Sequence, residues 1–215
     1  MSTPLRRLRA YLDMALIDHG ILRHYWTSLQ RISPQMWRSN QPGPGRIAKA
    51  AQMGVKTIVN LRGRRPSGTY ALEAEACAKH GLALMDFSIG SREPPRKVAL
   101  KAAREMFGTI AYPALMHCKS GADRVGFMSV FYLFAHEGVP LGEAQKHLSL
   151  RFGHVRQGKT GVLDYFWDNY AARHAETGID FWDWVEREYD PEAMKSAFMS
   201  QWWANILVDR ILNRE

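Results

Sequence analysis

Cysteine is scarce in this chain of 215 residues, which contains only Cys77 and Cys118. Two cysteines exclude the disulfide framework that stabilises many small secreted domains. Cys77 lies in an alanine-rich run with a helical pattern, so we expect it to be a small residue of the core. Cys118 is therefore the cysteine whose surroundings indicate chemistry.

Long apolar runs are also absent. Although 46% of the residues are hydrophobic, no stretch reaches the roughly 20 residues of a membrane span. Charged residues such as Asp13, Asp18 and Arg23 interrupt any signal-peptide core near the N-terminus. The sequence shows no internal repeat and no nucleic-acid-binding motif, so we expect no nucleic-acid partner.

Acidic residues are outnumbered by basic ones, 21 to 29, which gives a formal net charge of +8 at pH 7. This charge favours anionic partners, such as a phosphorylated protein, a phosphorylated small molecule or an anionic lipid. A generally basic surface explains the charge equally well.

Both ends of the chain are amphipathic. Leu5, Leu8 and Leu12 recur at helical spacing with arginines between them, and the segment after Trp202 has a similar pattern. A basic amphipathic helix can lie on an anionic membrane surface, and it can also pack on its own domain. Packing is the more common outcome, and peripheral membrane contact is the alternative.

The most informative segment is the octapeptide 117–124, which reads His-Cys-Lys-Ser-Gly-Ala-Asp-Arg. An apolar run precedes it, and a helical pattern starting near Val125 follows it. A tight turn between a buried strand and a helix directs backbone N–H groups inward, and the helix adds the positive end of its dipole. Such a cradle fits a phosphate group and favours the thiolate, which is the reactive form of cysteine.

Three residues of the octapeptide have further expected roles. Arg124 can bind two phosphoryl oxygens at once through its planar guanidinium, which a lysine cannot do. Gly121 lets the backbone turn close to the ligand, because it has no Cβ. We expect the His117 imidazole, at the end of the strand, to hydrogen-bond the loop.

Strand-like and helix-like segments alternate along the chain. This alternation predicts an α/β fold with a central, mainly parallel sheet, helices on both faces and extra helices at both ends. The octapeptide then lies at the carboxyl end of a central strand, where ligands bind in such sheets. The predicted strands are 36–39, 55–61, 82–87 and 114–117, and the predicted helices are 44–53, the run around Cys77, 95–109, 125–136, 141–151 and 164–174.

The pattern His-Cys-x-x-Gly-x-x-Arg resembles the signature of the cysteine-dependent protein tyrosine phosphatase superfamily, in particular its dual-specificity and bacterial tyrosine-phosphatase-like branch. Two upstream segments, 36–42 and 54–62, resemble the same branch, so the similarity covers roughly Trp37 to Phe152. The resemblance implies a dual-specificity-phosphatase-like fold. We expect a phosphatase domain at 33–175, an N-terminal helical extension at 1–32, and a C-terminal helical extension at 176–215 packed on the domain.

The resemblance also implies a phosphomonoester hydrolase that acts through a phosphocysteine intermediate, without a metal or another cofactor. By position Cys118 is the nucleophile and Arg124 binds the phosphate. A reactive thiol needs a reducing compartment, so we expect a cytoplasmic protein. The backbone of the loop is expected to bind substrate through Lys119, Ser120, Gly121, Ala122 and Arg124.

The general acid has three candidates. Relatives carry an aspartate on a loop after the preceding strand, but Ser91 stands near that position here. Asp123 is our first choice, because some bacterial relatives use an aspartate just before the arginine. Asp86 and Glu93 are the alternatives. Each aspartate also has a simpler role. Asp123 could orient Arg124 or cap the following helix, and Asp86 could be a half-buried strand residue with a hydrogen-bond partner.

Two other functions stay open at this point. A phospholipid phosphatase at the membrane surface would use the same chemistry on a different substrate. A phosphate-binding module with little turnover is favoured by Val125, because most relatives have a Ser or Thr there that helps the thiolate to leave.

Two polar loops are further candidates for the rim of the pocket. Arg62, Arg64 and Arg65 follow the second predicted strand, and they either approach the substrate or form a solvated basic loop. In the glycine-containing loop 151–161, either His154 or Lys159 reaches the pocket, or the loop only connects two helices.

Overall fold

The computed structural model describes residues 3–18 and 29–212, with side chains as far as residue 204. Its centre is a five-stranded sheet in the order β1-β2-β5-β3-β4, in which only the β1–β2 pair is antiparallel. The predicted α/β fold with a mainly parallel sheet is therefore confirmed. The strands are β1 (Gln30–Arg31), β2 (Met36–Asn40), β3 (Thr57–Asn60), β4 (Ala83–Asp86) and β5 (Ala114–Cys118).

Helices connect the strands and extend both ends of the fold. The starts and stops follow local signals: Pro44 opens α2, the Ser67 hydroxyl accepts the Tyr70 N–H at the start of α3, and Gly178 ends α7 with a φ of +72°. The helices are α1 (Pro4–Leu12), α2 (Pro44–Gln52), α3 (Gly68–Lys79), α4 (Lys97–Thr109), α5 (Asp123–Phe131), α6 (Leu141–Ala144), α7 (Val162–Thr177), α8 (Phe181–Arg187) and α9 (Pro191–Leu212).

Alternation along the strands divides the core between the two faces of the sheet. On β5, Leu115 packs in a cluster with Ile47 of α2 and Cys77 of α3. The neighbouring Met116 belongs to a larger cluster on the opposite face, together with residues of α4, α5 and α7 to α9. Because β5 is buried on both faces and paired on both edges, its carboxyl end is a rigid base for the octapeptide.

The segment 141–151, predicted as one helix, is not one. Helix α6 ends at Ala144, and short 3-10 turns follow at Gln145–His147 and Leu150–Phe152. The break occurs at Leu148, whose backbone is not helical (φ −109°, ψ 79°) and whose buried side chain lies against α5. A Cβ on Gly126 of α5 would lie 2.7 Å from Leu148 Cδ1, so this close packing depends on the glycine.

Helix α1 confirms the helical pattern of the N-terminus. Its Ala10 is buried against α3, and a Cβ on Gly68 would lie 2.6 Å from Ala10 Cα. The C-terminal pattern lies within α9, but the side chains from residue 205 onward are outside the described ones. The division of the chain at residues 32 and 175 stays a prediction.

Candidate active site

Cys118 is the last residue of β5, and the chain turns sharply after it. The thiol is buried, with 1% of the residue exposed, and the Gly121 N–H points at Sγ with an N···S distance of 3.3 Å. Gly121 has a φ of +80°, a conformation that favours glycine at this position of the turn. The turn therefore directs the Gly121 N–H towards the sulfur.

Helix α5 begins directly after the turn, so the positive end of its dipole faces the loop. Arg124 is the second residue of this helix and is half-buried. Within the described part of the chain, its guanidinium forms no hydrogen bond or ion pair. It is therefore free to bind an anion at the mouth of the loop.

Arg38 of β2 contacts the loop on the side away from the cradle, and it was not among the residues selected from the sequence. Its side chain is fully buried, and Nη2 donates to the carbonyl oxygens of Gly121 at 2.7 Å and Ala122 at 3.4 Å. Nη1 donates to the His147 carbonyl oxygen at 2.6 Å, and the guanidinium lies 4.1 Å from the centre of the Phe152 ring. Burial lowers the pKa of Arg38 to about 10, and the charge of Cys118 opposes this shift.

The contacts of Arg38 determine which way the loop amides point. The C=O and the following N–H of a trans peptide point in opposite directions. When Arg38 holds the carbonyls of Gly121 and Ala122 on its side, the N–H groups of Ala122 and Asp123 point away from it. Arg38 is therefore a positioning residue for the anion cradle.

His117 does not bond the loop as expected. Its imidazole is fully buried, and Nε2 contacts the Oε1 atom of Glu73 on α3. The reason is the alternation of β5, which directs His117 to the face that α2 and α3 cover while Cys118 belongs to the opposite one. The His117–Glu73 contact fixes the end of the strand rather than the loop itself.

Arg62 belongs to a network of hydrogen bonds that also includes Glu73, the partner of His117. Its guanidinium donates to both carboxylate oxygens of Asp18, at 2.7 and 2.8 Å, and to Gln41 Oε1 at 2.7 Å. Gln41 in turn donates to Glu73 and, through its N–H, to the carbonyl of Lys119. Arg62 is only 9% exposed, so the interpretation as part of a solvated loop was wrong for this residue.

Lys119 lies at the edge of the loop. Its side chain is 43% exposed, and its ammonium is 3.8 Å from the nearer oxygen of Asp18. It adds positive charge where a substrate would enter.

Two of the three acid candidates are occupied elsewhere. Both carboxylate oxygens of Asp86 accept hydrogen bonds, one from Asn60 at 2.9 Å and one from the Tyr70 hydroxyl at 2.6 Å. The bond to Asp86 is the main reason that the pKa of Tyr70 rises to about 12. Glu93 accepts from Lys195 at 3.0 Å on the surface. These positions match the simpler role considered for Asp86.

Asp123 is the first residue of α5, but it does not cap the helix. Its Oδ1 atom lies 2.7 Å from Nδ1 of His154, and Nε2 of the same imidazole lies 2.6 Å from Oδ2 of Asp164 on α7. The loop residue His154 thus reaches the active site, whereas Lys159 lies over the Trp202 ring. Across the described ranges, no group of three His, Cys, Asp or Glu residues has an arrangement that could hold a metal ion.

The protonation of His154 follows from its two carboxylate partners. Burial lowers its pKa, but the hydrogen bonds and charges of Asp123 and Asp164 outweigh this effect and raise the pKa to about 9. The ordinary value is 6.5, so the protonated form stabilises the fold fully below pH 6.5. This contribution is lost as the pH rises through about 9.

Val125 is fully buried in the core beneath the loop. As the third residue of α5, it places an apolar side chain where the resemblance leads one to expect a hydroxyl. The Val125 carbonyl accepts a hydrogen bond from the Ser129 hydroxyl at 2.7 Å, a contact along the helix and away from the thiol.

Sequence reasoning missed Arg38, Glu73 and Asp164. A charged residue on a largely apolar helix face is the signal that could have selected Glu73, and an arginine inside a predicted buried strand is the signal for Arg38. Asp164 gives a similar signal, because it begins the buried face of α7 beside Val162 and Leu163.

The fold is similar to solved structures of phosphatases. P. aeruginosa TpbA matches with a TM-score of 0.55 at 17% identity, over 80% of this chain and 91% of its own. Tk-PTP in its active form matches with a TM-score of 0.52 at 21% identity, over 66% of this chain and 98% of its own. A putative phosphatase (DUF442) from Shewanella putrefaciens CN-32 matches with a TM-score of 0.50 at 16% identity, over 68% of this chain and 92% of its own.

No protein-family model and no curated protein matches the chain. The structural similarity confirms the expected fold, since each match spans more than nine-tenths of the phosphatase's own chain. The chain therefore has the α/β fold of the cysteine-dependent phosphatases that its octapeptide resembles.

Proposed function

We propose that this protein is a phosphomonoester hydrolase of the cysteine-dependent tyrosine-phosphatase type. The observation that carries the proposal is the thiol of Cys118 at the base of a turn whose Gly121 N–H faces the sulfur. A module that only binds phosphate has no need of a buried thiol there. The unpaired guanidinium of Arg124 supplies the second requirement, a planar clamp for phosphoryl oxygens.

The proposed reaction has two steps. The Cys118 thiolate attacks phosphorus, so an S–P bond forms while the P–O bond to the leaving group breaks and Asp123 protonates the leaving oxygen. Water then attacks the phosphocysteine and loses a proton to Asp123, and the thiolate leaves with the S–P electron pair. Val125 offers no hydroxyl to assist that departure, so we expect the second step to limit turnover.

Replacing Arg124 by lysine tests the clamp. We expect Arg124→Lys to lower kcat/KM for p-nitrophenyl phosphate by roughly 10²- to 10³-fold, because one ammonium cannot match two developing charges. Steady-state kinetics measure this, with Arg187→Lys on the exposed surface of α8 as the matched control. An Arg124→Lys variant as active as the control would contradict the role of the guanidinium.

A specific observation favours a substrate at a membrane surface. Ala10 is the one residue of helix α1 that is buried against α3, and Leu5, Leu8 and Leu12 are left exposed by 72%, 57% and 49%. The helix therefore packs on the domain, and it also turns an apolar stripe outward. None of the helices in the described residues has the length and apolar character that crossing a bilayer requires.

Arginines accompany this apolar stripe. Arg6 and Arg9 of α1 line an open cavity of about 860 Å³ together with Arg64 and Arg65. Burial and the charges of Arg62 and Arg124 lower the pKa of Arg65, so this basic surface continues to the active site. Leucines flanked by arginines fit an anionic bilayer, to which each basic residue contributes about 1 kcal/mol. We propose peripheral contact with such a bilayer, in the reducing environment of the cytoplasm.

Vesicle sedimentation tests this contact. We expect the protein to sediment with phosphatidylglycerol vesicles and much less with phosphatidylcholine vesicles. A Leu8→Asp, Leu12→Asp variant should lose at least about tenfold in binding, because each leucine loses its burial in the interface. Val98→Asp on α4, which replaces a side chain exposed by 69%, is the matched control. Equal sedimentation of all three proteins would exclude α1 as the contact.

The substrate itself is best identified by direct comparison. Phosphopeptides, inositol phosphates and phosphatidylglycerophosphate present the same terminal group to the loop. Release of inorganic phosphate from each class ranks them. A preference for the lipid only when it is in vesicles would join the α1 surface to the active site.

A further inference from the structure

Asp123, His154 and Asp164 form a chain of hydrogen bonds that opens to solvent at one end. His154 is 2% exposed, and the side chain of Asp164 is 10% exposed. Asp123 is the most exposed of the three, with 26% of its side chain accessible, and it lies beside the cradle. A proton that enters or leaves the imidazole at Nδ1 therefore passes through Asp123.

We propose that His154 stores the proton that Asp123 delivers to the leaving group. This inference rests on the proposed function, and it makes His154 a positioning residue that acts through Asp123. When the P–O bond breaks, the Nδ1 proton of His154 moves to the Asp123 carboxylate, which passes a proton on to the leaving oxygen and is ionised again. His154 becomes neutral and keeps its Nε2–H directed at Asp164.

The second step returns the proton by the same path. The attacking water gives a proton to Asp123, which passes it to Nδ1 of His154, while the Cys118 thiolate leaves the phosphorus. The net change over both steps is hydrolysis of one phosphomonoester by one water, and every protein group recovers its starting protonation.

Asp164 stabilises the protonated form of His154. A buried imidazolium without a partner would be unstable, but the Asp164 carboxylate at 2.6 Å compensates its charge and fixes the tautomer. The raised pKa of His154, about 9, means that the imidazole holds its proton at neutral pH. A lone aspartate would have lost its proton there, since its ordinary pKa is near 4.

The other charged groups on the surrounding elements are engaged elsewhere or face the cradle. On α5, Arg124 follows Asp123 and is left for the phosphate. On α7, Asp168 accepts a hydrogen bond from Arg156 of the loop. Lys159 of the same loop lies over the Trp202 ring, 5.2 Å from its centre, and Arg151 lies over Phe152. Asp123 and Asp164 therefore dominate the charge on His154.

The pH dependence of hydrolysis is the decisive readout. For phenyl phosphate, whose leaving group needs a proton, we expect kcat/KM of the wild type to stay high until about pH 9. The His154→Gln variant keeps a hydrogen-bond donor but cannot store a proton, so its activity should fall several pH units earlier. At pH 8 its loss on phenyl phosphate should be roughly 10²-fold, and its loss on p-nitrophenyl phosphate only a few-fold, because that leaving group needs little acid.

Asp164→Asn is a second test of the pH profile, and His136→Gln is its control. Asp164→Asn removes the charge that holds the imidazolium, so the alkaline fall should shift downward as well. His136→Gln makes the same exchange at a site that stacks on Tyr112 and Tyr132, and its profile should match that of the wild type. A purely structural role of His154 would lower activity equally on both substrates, with no shift in the profile, and would overturn the inference.

A titration of the His154 ring by NMR separates this inference from the proposed function. We expect the ring to lose its proton near pH 9 in the wild type and at lower pH in Asp164→Asn. A ring that is neutral at pH 7 would overturn the proton store even in an active enzyme. If the ring titrates near pH 9 but the wild type hydrolyses no phosphomonoester, the proposed function is wrong, and the catalytic role of His154 is wrong with it.

Discussion

Cys118→Ser is expected to abolish hydrolysis of aryl phosphates and to leave anion binding in place. The loss in kcat should be on the order of 10⁴-fold or more, as is typical when a covalent nucleophile is removed. The serine hydroxyl is not ionised at neutral pH, and among the described residues no side chain hydrogen-bonds the Cys118 thiol to act as its base. The amides of the loop and the Arg124 guanidinium are unchanged, so an anion still finds its cradle.

Two measurements check this expectation together. Release of p-nitrophenol gives the activity, and calorimetry with inorganic tungstate, a phosphate analogue, gives the binding. Cys77→Ala is the matched control, because Cys77 is the other free cysteine and is buried in α3, with a pKa that burial raises to about 12. Turnover by Cys118→Ser at the rate of the control would exclude Cys118 as the nucleophile, and loss of tungstate binding would mean that the loop had collapsed.

The sheet and the octapeptide could be predicted because their signals are local. A strand buried on both faces appears as a continuous apolar run, as in β5 and β3, and the predicted bounds of these strands agree with the structure to within a few residues. The loop is local for a different reason. Its nucleophile, its glycine and its arginine all lie within eight consecutive positions, so the chain itself fixes their spacing.

The support of the loop could not be predicted, because it joins residues that are distant in sequence. Arg38 reaches Gly121, Glu73 reaches His117, and both contacts depend on how the strands pair. The break at Leu148 is of the same kind, since helical propensity favoured a continuous helix and close packing against Gly126 overrode it. The sequence shows which side chains of a strand share one face of the sheet. It does not show which helix covers that face.

The structure favours one of the three candidates for the general acid. Three carboxylates were candidates, and the sequence could not order them by environment. Asp86 accepts hydrogen bonds from two donors and Glu93 pairs with Lys195, whereas Asp123 is partly exposed at the loop and hydrogen-bonds His154. Asp123 stays a proposal, and it is now supported by its contacts as well as by its position in the octapeptide.

Arg38→Met should have the largest effect on stability. The side chain is fully buried, and its bonds to Gly121 and His147, at 2.7 and 2.6 Å, are short and charge-assisted. Methionine fills much of the space but leaves these two carbonyl oxygens without a donor. We expect a loss of about 3–5 kcal/mol in the free energy of unfolding, which corresponds to a melting temperature lower by roughly 10 °C.

The effect of Arg38→Met on activity should exceed its effect on folding. At a temperature where the variant is fully folded, kcat/KM should still fall by roughly 10²-fold, because the peptide groups after Gly121 are no longer held with their N–H groups towards the cradle. Arg31→Met is the matched control, because Arg31 also bonds two carbonyls, but these belong to Ser33 and Pro34 near the surface and not to the loop. Thermal unfolding and steady-state kinetics measure the two effects. A variant that melts early yet retains full activity while folded would show that Arg38 stabilises the fold without orienting the cradle.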